Sequence, residues 1–173
     1  MKLKDLHESK VEFTLDEKID LALFGHDKGH VINRGGHVSA MDKALKYLSK
    51  KSSDLWRGLY PEEIKLFDQD LEVDCYLSFS ENREIAEGFA KRSKVLLHAK
   101  SLTGFCYWQW GVADHLEQQE ENPKVWDEND GQYSLDVLKK EAEWVIGHGT
   151  VLKVVDRKQD GEFTIIELEQ VWT

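Results

Sequence analysis

Cysteine and proline are both scarce in this chain of 173 residues, which has two of each. Two cysteines, Cys75 and Cys106, cannot build a disulfide framework or a four-cysteine zinc site. Their apolar, strand-like surroundings favour buried thiols in a reducing compartment. Two isolated prolines mark no linker, and the sequence has no evident repeat. We therefore expect one domain over residues 1–173, with a helical part at 1–54 and a sheet core at 55–173.

Long apolar runs and basic tracts are missing as well. Purely apolar runs such as 21–24 reach four residues, far fewer than the roughly 20 of a membrane-spanning helix. The 23 basic and 33 acidic side chains leave a formal charge of −10, which does not suit a general binder of nucleic-acid phosphates. We expect no general nucleic-acid binding, no membrane insertion, no signal-peptide export and a cytoplasmic protein.

The hydrophobic pattern changes near residue 55. Before it, apolar spacing predicts helices at 15–24 and 40–51, with Thr14 and Ser39 as N-caps. After it, aromatic and β-branched segments predict strands at 55–60, 75–80, 95–99, 105–110, 143–146, 150–155 and 163–171. Further helical patterns lie at 82–92 and 134–142. Helices followed by many short strands, with few crossover helices, indicate an α+β fold and not a doubly wound sheet.

Three histidines, His26, His30 and His37, lie in the glycine-rich segment 25–38. Their spacing matches no metal-binding motif, so we interpret them as polar loop residues and expect no metal site. The glycine motifs of Rossmann and P-loop proteins are also absent, so any nucleotide must be held in another way.

The first candidate for chemistry is Arg57 in the segment 55–60. Strand alternation places it on the same face as Leu55 and Leu59, and an arginine on an apolar face is suited to bind an anion such as phosphate. Gly58 next to it would let a ligand approach the backbone. The alternative is an edge-strand arginine that is paired with a carboxylate.

The second candidate is the pair Ser78 and Ser80, at the end of a predicted strand that runs into a helix. Residues two apart share one face of a strand, so both hydroxyls point the same way. Alternatively, Ser80 only caps the helix, although Arg83 stands where a capping box has Glu.

The third candidate is the pair Glu141 and Glu143. In an extended segment these carboxylates would project from one face, about 6.6 Å apart along the chain. Paired carboxylates suit glycosyl chemistry, because one can stabilise an oxocarbenium-like state while the other serves the acceptor. The alternative is a solvated acidic turn at the end of a helix.

Taken in order, these three segments resemble the mono-ADP-ribosyltransferases of the toxin-like Arg-Ser-Glu class. Arg57-Gly58 is similar to the family's first-strand arginine, Leu77-Ser-Phe-Ser80 to its Ser-Thr-Ser segment and Glu141-Ala-Glu143 to its Glu-x-Glu element. The resemblance extends over about 55–155. It implies two packed antiparallel or mixed sheets with N-terminal and flanking helices, NAD as co-substrate and no metal.

The resemblance also implies roles for individual residues. Arg57 would bind an NAD phosphate, and Gly58 would offer backbone groups to the nicotinamide amide. Ser78 would orient Glu143, and Glu143 would hold the nicotinamide ribose and stabilise the oxocarbenium ion. Ser80, Phe89 and Arg92 complete the expected NAD contacts, with Phe89 against nicotinamide and Arg92 at a second phosphate. Phe89 could equally belong to the core.

The glutamate at position 141 implies which type of residue accepts the ADP-ribose. In this family an acid at the first position of Glu-x-Glu accompanies arginine modification, and a protonated guanidinium needs a carboxylate to orient or deprotonate it. We expect transfer of ADP-ribose to an arginine of a target protein by a toxin, an effector or a phage-type host modifier. Such a protein would act in the host-cell cytosol. An NAD glycohydrolase and a noncatalytic binding module on the same fold are the alternatives.

The sequence departs from the family pattern in two places. Phe79 replaces a small polar residue of the family motif, and the helical pattern at 134–142 lies where a loop is expected before the glutamates.

The stretch 114–131 has seven acidic residues, one lysine and Trp126. It is either a solvated loop or a surface that recruits a basic target protein.

Overall fold

A computed structural model describes residues 11–26, 38–74, 76–121 and 128–171. Its α-helices are α1 Leu15–His26, α2 Ser39–Leu48, α3 Arg83–Phe89, α4 Tyr107–Glu121 and α5 Glu128–Glu141, and a 3-10 helix spans Pro61–Phe67. Its strands are β1 Lys50–Lys51, β2 Leu55–Gly58, β3 Leu71–Glu72, β4 Tyr76–Ser80, β5 Val95–Ala99, β6 Thr103–Gly104, β7 Glu143–Gly147, β8 Val151–Asp160 and β9 Phe163–Val171. The predicted α+β composition is confirmed.

Seven strands form one mixed sheet in the order β3-β8-β9-β5-β2-β4-β7, and β1 pairs with β6 in a small second sheet. Within the larger sheet β5 and β9 run parallel, whereas the other pairs are antiparallel. In the described residues β2 and β4 are joined at one residue pair, Trp56 and Ser80. The two strands therefore separate on one side of that pair, and this separation opens the cleft described below.

The central strand β5 is buried at all five positions, because both faces of the sheet are covered. The larger cluster includes Leu55, Leu97 and Ile146, and a second cluster packs α1 and α2 against Tyr76 and Trp110. A third cluster packs α3 and the following Ala90 against β5 and β9 through Ala86, Leu96, Phe163 and Ile165. The N-terminal helices thus pack directly on sheet residues such as Tyr76 and Val145.

The N-terminal helices begin close to the predicted positions. Thr14 caps α1 as predicted, since its Oγ1 accepts from Glu17 N (3.2 Å) and its N–H donates to Glu17 Oε1 (3.1 Å). The prediction for Ser39 is wrong: this residue is the first of α2, and the cap position belongs to Val38 without a side-chain hydrogen bond.

The strand predicted at 105–110 is wrong. Phe105 makes an isolated bridge to Val145, and α4 begins at Tyr107. Tyr107, Trp110, Gly111 and Asp114 are all buried, and their spacing of three and four residues is that of one helix face. Aromatic residues favour strands in general, but here packing against α1 and α5 decides.

The acidic stretch 114–131 is helical wherever it is described, since 114–121 belong to α4 and 128–131 to α5. The solvated-loop interpretation is therefore wrong for those parts. Trp126, Pro123, Cys75, His30 and His37 lie outside the described residues. Cys106 is buried, and burial raises the pKa of its thiol to about 11.

Candidate active site

A cleft of about 390 Å³ lies between β2, β4 and α3, beside the end of α5. Its walls contain nearly all of the residues that the sequence singled out: Arg57, Gly58, Ser78, Ser80, Phe89, Glu141 and Glu143. The remaining lining residues are Trp56, Tyr60, Tyr76, Phe79, Ile85 and Ala86. Segments more than 80 residues apart in the chain thus meet in one cleft.

The two serines and Glu143 face the cleft together because of the strand register. In the antiparallel pair β4 and β7, Ser78 lies opposite Val145 and Ser80 lies opposite Glu143. Opposite residues share a face, as do residues two apart, so Ser78, Ser80 and Glu143 project from the same side. Glu143 is 6% exposed, which leaves its carboxylate reachable mainly from within the site.

The Glu-Ala-Glu segment is not extended, which corrects the geometry expected for it. Glu141 is the last residue of α5 and Glu143 the first of β7, and Ala142 between them has a positive φ of 43°. The strand alternation assumed from the sequence therefore does not apply. A helix end and a tight left-handed turn bring both carboxylates to the same cleft.

Three hydrogen bonds fasten this turn to the segment that follows β4. Ser80 Oγ donates to Glu141 O (2.5 Å), and Asn82 Nδ2 donates to Lys140 O (3.2 Å). Between them Glu81 N–H donates to Ala142 O (3.1 Å). The last carbonyls of a helix lack partners inside the helix, so these donors both satisfy the end of α5 and set its position.

Asn82 has a further role that the sequence did not indicate. Its Oδ1 accepts from Glu84 N (3.1 Å), so Asn82, and not Ser80, is the side-chain cap of α3. Ser80 Oγ instead accepts from Asn82 N (2.9 Å) while donating to Glu141 O. The hydroxyl of Ser80 is therefore engaged in positioning the Glu-Ala-Glu turn.

Arg57 crosses the separation between β2 and β4. Its Nη1 donates to Ser78 O (3.1 Å) and its Nη2 donates to Glu63 Oε1 (2.6 Å), whereas its Nε is buried without a partner. The strand β2 lies between β5 and β4, so the edge-strand interpretation is wrong, although the carboxylate pairing is present. A buried N–H without a partner is costly, and a ligand oxygen in the cleft would satisfy it.

Glu63 was missed by the sequence analysis. It belongs to the 3-10 helix, and its Oε2 accepts from Tyr60 N (2.8 Å) while its Oε1 holds Arg57. The available signal was Pro61 followed two residues later by a glutamate, a pattern typical of a helix start. Glu63 orients the guanidinium group on the cleft wall.

Gly58 is required by packing against α3. A Cβ atom at this position would lie 1.9 Å from Ala86 O and 2.8 Å from Ala90 N. Leu59 N–H donates to Val95 O (3.1 Å) and therefore points toward β5. Because backbone polar groups alternate in direction along a strand, those of Gly58 point toward β4. The backbone of Gly58 lies beyond the Trp56–Ser80 pair and therefore faces the cleft.

Two exposed aromatic rings stand at the rim of the cleft. Phe89 is 52% exposed and Tyr60 is 49% exposed, and their rings meet edge to face at 6.3 Å. Phe89 is thus not a core residue, and Tyr60 is a rim residue that the sequence did not single out. Arg92 is exposed in the turn after α3 and does not line the cleft, so its phosphate contact stays a prediction.

Within the described ranges no group of three or more His, Cys, Asp or Glu side chains is arranged to hold a metal ion. In the same part of the chain no helix has the length and apolar character needed to cross a bilayer.

No protein-family model matches this chain, and no curated protein matches it either. Solved structures do. The ADP-ribosyltransferase Vis from Vibrio splendidus, in complex with agmatine, superposes with a TM-score of 0.61 at 15% identity, covering 98% of this chain and 82% of that one. Vis in complex with the M6 inhibitor gives a TM-score of 0.57 at 17% identity, over 92% and 74% of the two chains.

Exoenzyme S from Pseudomonas aeruginosa, in complex with human 14-3-3 protein beta and bound to Carba-NAD, is also similar. Its TM-score is 0.56 at 15% identity, with coverage of 89% of this chain and 72% of that one. At identities this low, these superpositions establish a shared fold alone. The chain has the fold of the ADP-ribosyltransferases, as the sequence resemblance implied.

Proposed function

We propose that this chain, which has the fold of the ADP-ribosyltransferases, transfers ADP-ribose from NAD to an arginine of a target protein and releases nicotinamide. The observation that carries the proposal is the meeting of Arg57, Ser78, Glu141 and Glu143 in one cleft. These residues come from β2, β4, α5 and β7, and the family resemblance assigns a role in this reaction to each of them.

Glu143 would stabilise the positive charge that develops on the nicotinamide ribose. Its carboxylate is nearly enclosed, and a carboxylate fixed before the reaction stabilises an oxocarbenium-like state more than a mobile one does. Ser78 projects from the same face and would help to orient it. The hydrogen bonds around Glu141 and Ala142 hold the start of β7 in place.

Arg57 and Gly58 would bind NAD on the opposite wall. The buried Nε of Arg57 has no hydrogen-bond partner, so a phosphate oxygen that reached it would satisfy this donor, and the guanidinium fork is held by Ser78 O and Glu63. The backbone groups of Gly58 face the cleft and suit the amide of nicotinamide. Phe89 and Tyr60 at the rim offer aromatic surface to a planar ring.

Glu141 supports arginine as the acceptor. Guanidinium groups remain protonated at neutral pH, so a neighbouring carboxylate must accept a proton as the nitrogen attacks. Glu141 lines the same cleft as Glu143 and lies at its more exposed side. The structure of Vis holds agmatine, a small molecule with a guanidinium group, which fits an acceptor of this kind.

The test is incubation of the protein with labelled NAD and a bacterial lysate, followed by gel and mass spectrometry. Glu143→Ala should abolish the labelled bands, and Glu72→Ala, an exposed glutamate on β3, is the matched control. ADP-ribose on arginine in a Glu143-dependent band supports the proposal. NAD consumption at the same rate with and without lysate proteins, and no band, would identify an NAD glycohydrolase. No consumption at all would favour a noncatalytic binding module.

A further inference from the structure

A second cavity, of about 290 Å³, lies between α1, α4 and α5 and is bordered by the paired glutamates. Glu141 and Glu143 line it as they line the NAD cleft, so these two residues border both spaces. The proposed chemistry uses the side of the glutamates that faces the cleft. The second cavity offers a separate approach to the same carboxylates.

The chemistry of this cavity is acidic and aromatic. Asp114 on α4 is 3% exposed and lines the wall together with Tyr107 and Trp110. Among the described residues of the lining there is no lysine or arginine, and His115 has Nδ1 at 2.8 Å from Gly111 O, to which it donates. Carboxylates and aromatic faces in a confined space are what a delocalised cation requires.

Burial of Asp114 outweighs the groups that favour its charged form, which are His115, Lys18 on α1 and Gln118. Its Oδ2 accepts from Gln118 Nε2 (2.8 Å), and burial raises the pKa of this carboxyl group above its ordinary value. A carboxylate in such surroundings is stabilised when a cation enters beside it. The fold keeps an acidic side chain at a buried position where an apolar residue would cost less, which favours a role in binding.

We propose that this cavity is the acceptor site, and that Asp114 selects a guanidinium group and guides it to Glu141 and Glu143. This inference rests on the proposed function and adds the place of entry and a specificity-determining residue. The cavity is near the lower end of the volumes typical of small-ligand sites, roughly 300–1,000 Å³, so it suits one side chain and not a folded segment.

Transfer breaks one bond to the ribose carbon C1′ and forms another. The bond from ribose C1′ to the nicotinamide nitrogen breaks, and its electron pair leaves with nicotinamide. An acceptor guanidinium nitrogen forms the new bond to C1′ and loses a proton to the Glu141 carboxylate, which returns it to solvent. Asp114 touches only the acceptor and takes no part in bond breaking.

The experiment uses the full chain with agmatine as the acceptor probe, at saturating NAD. Asp114→Asn keeps the volume of the side chain and an oxygen for Gln118, but removes the charge. We expect the KM for agmatine to rise about tenfold, and kcat at saturating agmatine to fall by much less. Glu120→Gln, an exposed glutamate on the same helix, removes the same charge and should change neither constant by more than about twofold.

A second variant and a binding measurement distinguish weaker agmatine binding from a folding defect. Ser134→Phe places a large side chain in the cavity without changing the charge and should also raise the KM for agmatine. Calorimetric titration of agmatine into the protein without NAD should show binding that Asp114→Asn weakens. An unchanged KM in both variants, or a loss of NAD cleavage in proportion to the loss of transfer, overturns the inference.

The two proposals fail in different ways. If NAD cleavage depends on Glu143 but the KM for agmatine is unchanged in the Asp114 and Ser134 variants, the proposed function is supported and the acceptor cavity is overturned. Protein that binds agmatine through Asp114 but cleaves no NAD overturns the proposed function and supports the cavity as a guanidinium site.

Discussion

The hydroxyl of Ser80 donates a 2.5 Å hydrogen bond to the carbonyl oxygen of Glu141, across 61 positions of the chain. This bond joins the end of β4 to the end of α5, and so joins the serine segment to the paired glutamates. The side chain of Ser80 is 6% exposed, so water does not replace the bond when the hydroxyl is lost. The geometry of the glutamates therefore depends on a serine that need not touch NAD.

Ser80→Ala should lower the rate of transfer more than it weakens NAD binding. The variant leaves the Glu141 carbonyl and Asn82 N–H without their partner, which costs about 1–3 kcal/mol of unfolding free energy. Kinetics with varied NAD at saturating agmatine give kcat and the KM for NAD, and urea unfolding measures the loss of stability. Ser53→Ala, an exposed serine, is the control, and equal behaviour of the two variants would contradict the role assigned to Ser80.

Gly58→Ala should destabilise the protein, because the new methyl group would overlap Ala86 O in the backbone of α3. We expect a loss of about 3 kcal/mol. The matched variant is Gly88→Ala on α3 itself, where a Cβ atom meets nothing within 4 Å. Alanine favours a helix over glycine, so this variant should gain up to about 1 kcal/mol. Similar melting temperatures for the two variants would refute the packing argument.

Arg57→Lys should raise the KM for NAD by about tenfold or more. A lysine has one compact ammonium group and cannot reproduce the separate contacts with Ser78 O and Glu63 Oε1 while keeping a donor at the position of Nε. Steady-state kinetics with varied NAD measure the change. Wild-type KM values in the lysine variant would argue that Arg57 serves the fold and not the co-substrate.

Asp114→Asn should leave the protein as stable as, or more stable than, the wild type at pH 7. Burial raises the folded-state pKa of Asp114 above its ordinary value of 3.8, so the folded protein holds this proton more tightly than the unfolded chain does. The contribution of Asp114 to stability therefore falls as pH rises from about 3.8 through the raised pKa, and stays low above it. Urea unfolding of both proteins from pH 4 to 7 measures this difference, which should grow with pH.

An Asp114 that stabilises the fold at neutral pH would reverse that trend. The asparagine variant would then be the less stable protein at pH 7, and the advantage of the wild type would disappear toward pH 4. Such a result would mean that a partner inside the protein already compensates the buried charge.

Much of the local structure could be read from residue patterns. The apolar, aromatic and β-branched content of the segments 55–60 and 95–99 predicted β2 and β5, because strand propensity depends on the residues of the segment itself. The capping box of Thr14 and Glu17 was predictable for the same reason. The helix at the aromatic segment 105–110 was not predictable in this way, because long-range packing overrides the strand propensity of its residues.

Residue identities and local spacing alone specify which chemical groups this protein can offer: an arginine next to a glycine, two serines on one strand face, and a pair of glutamates. Tertiary structure decided how they meet. The register of β4 and β7 aligns Ser80 with Glu143, and the left-handed turn at Ala142 directs Glu141 into the same cleft. The tertiary structure also buries Asp114 in a cavity that the glutamates border. These relationships join residues far apart in the chain, and long-range packing sets distances that local periodicity cannot encode.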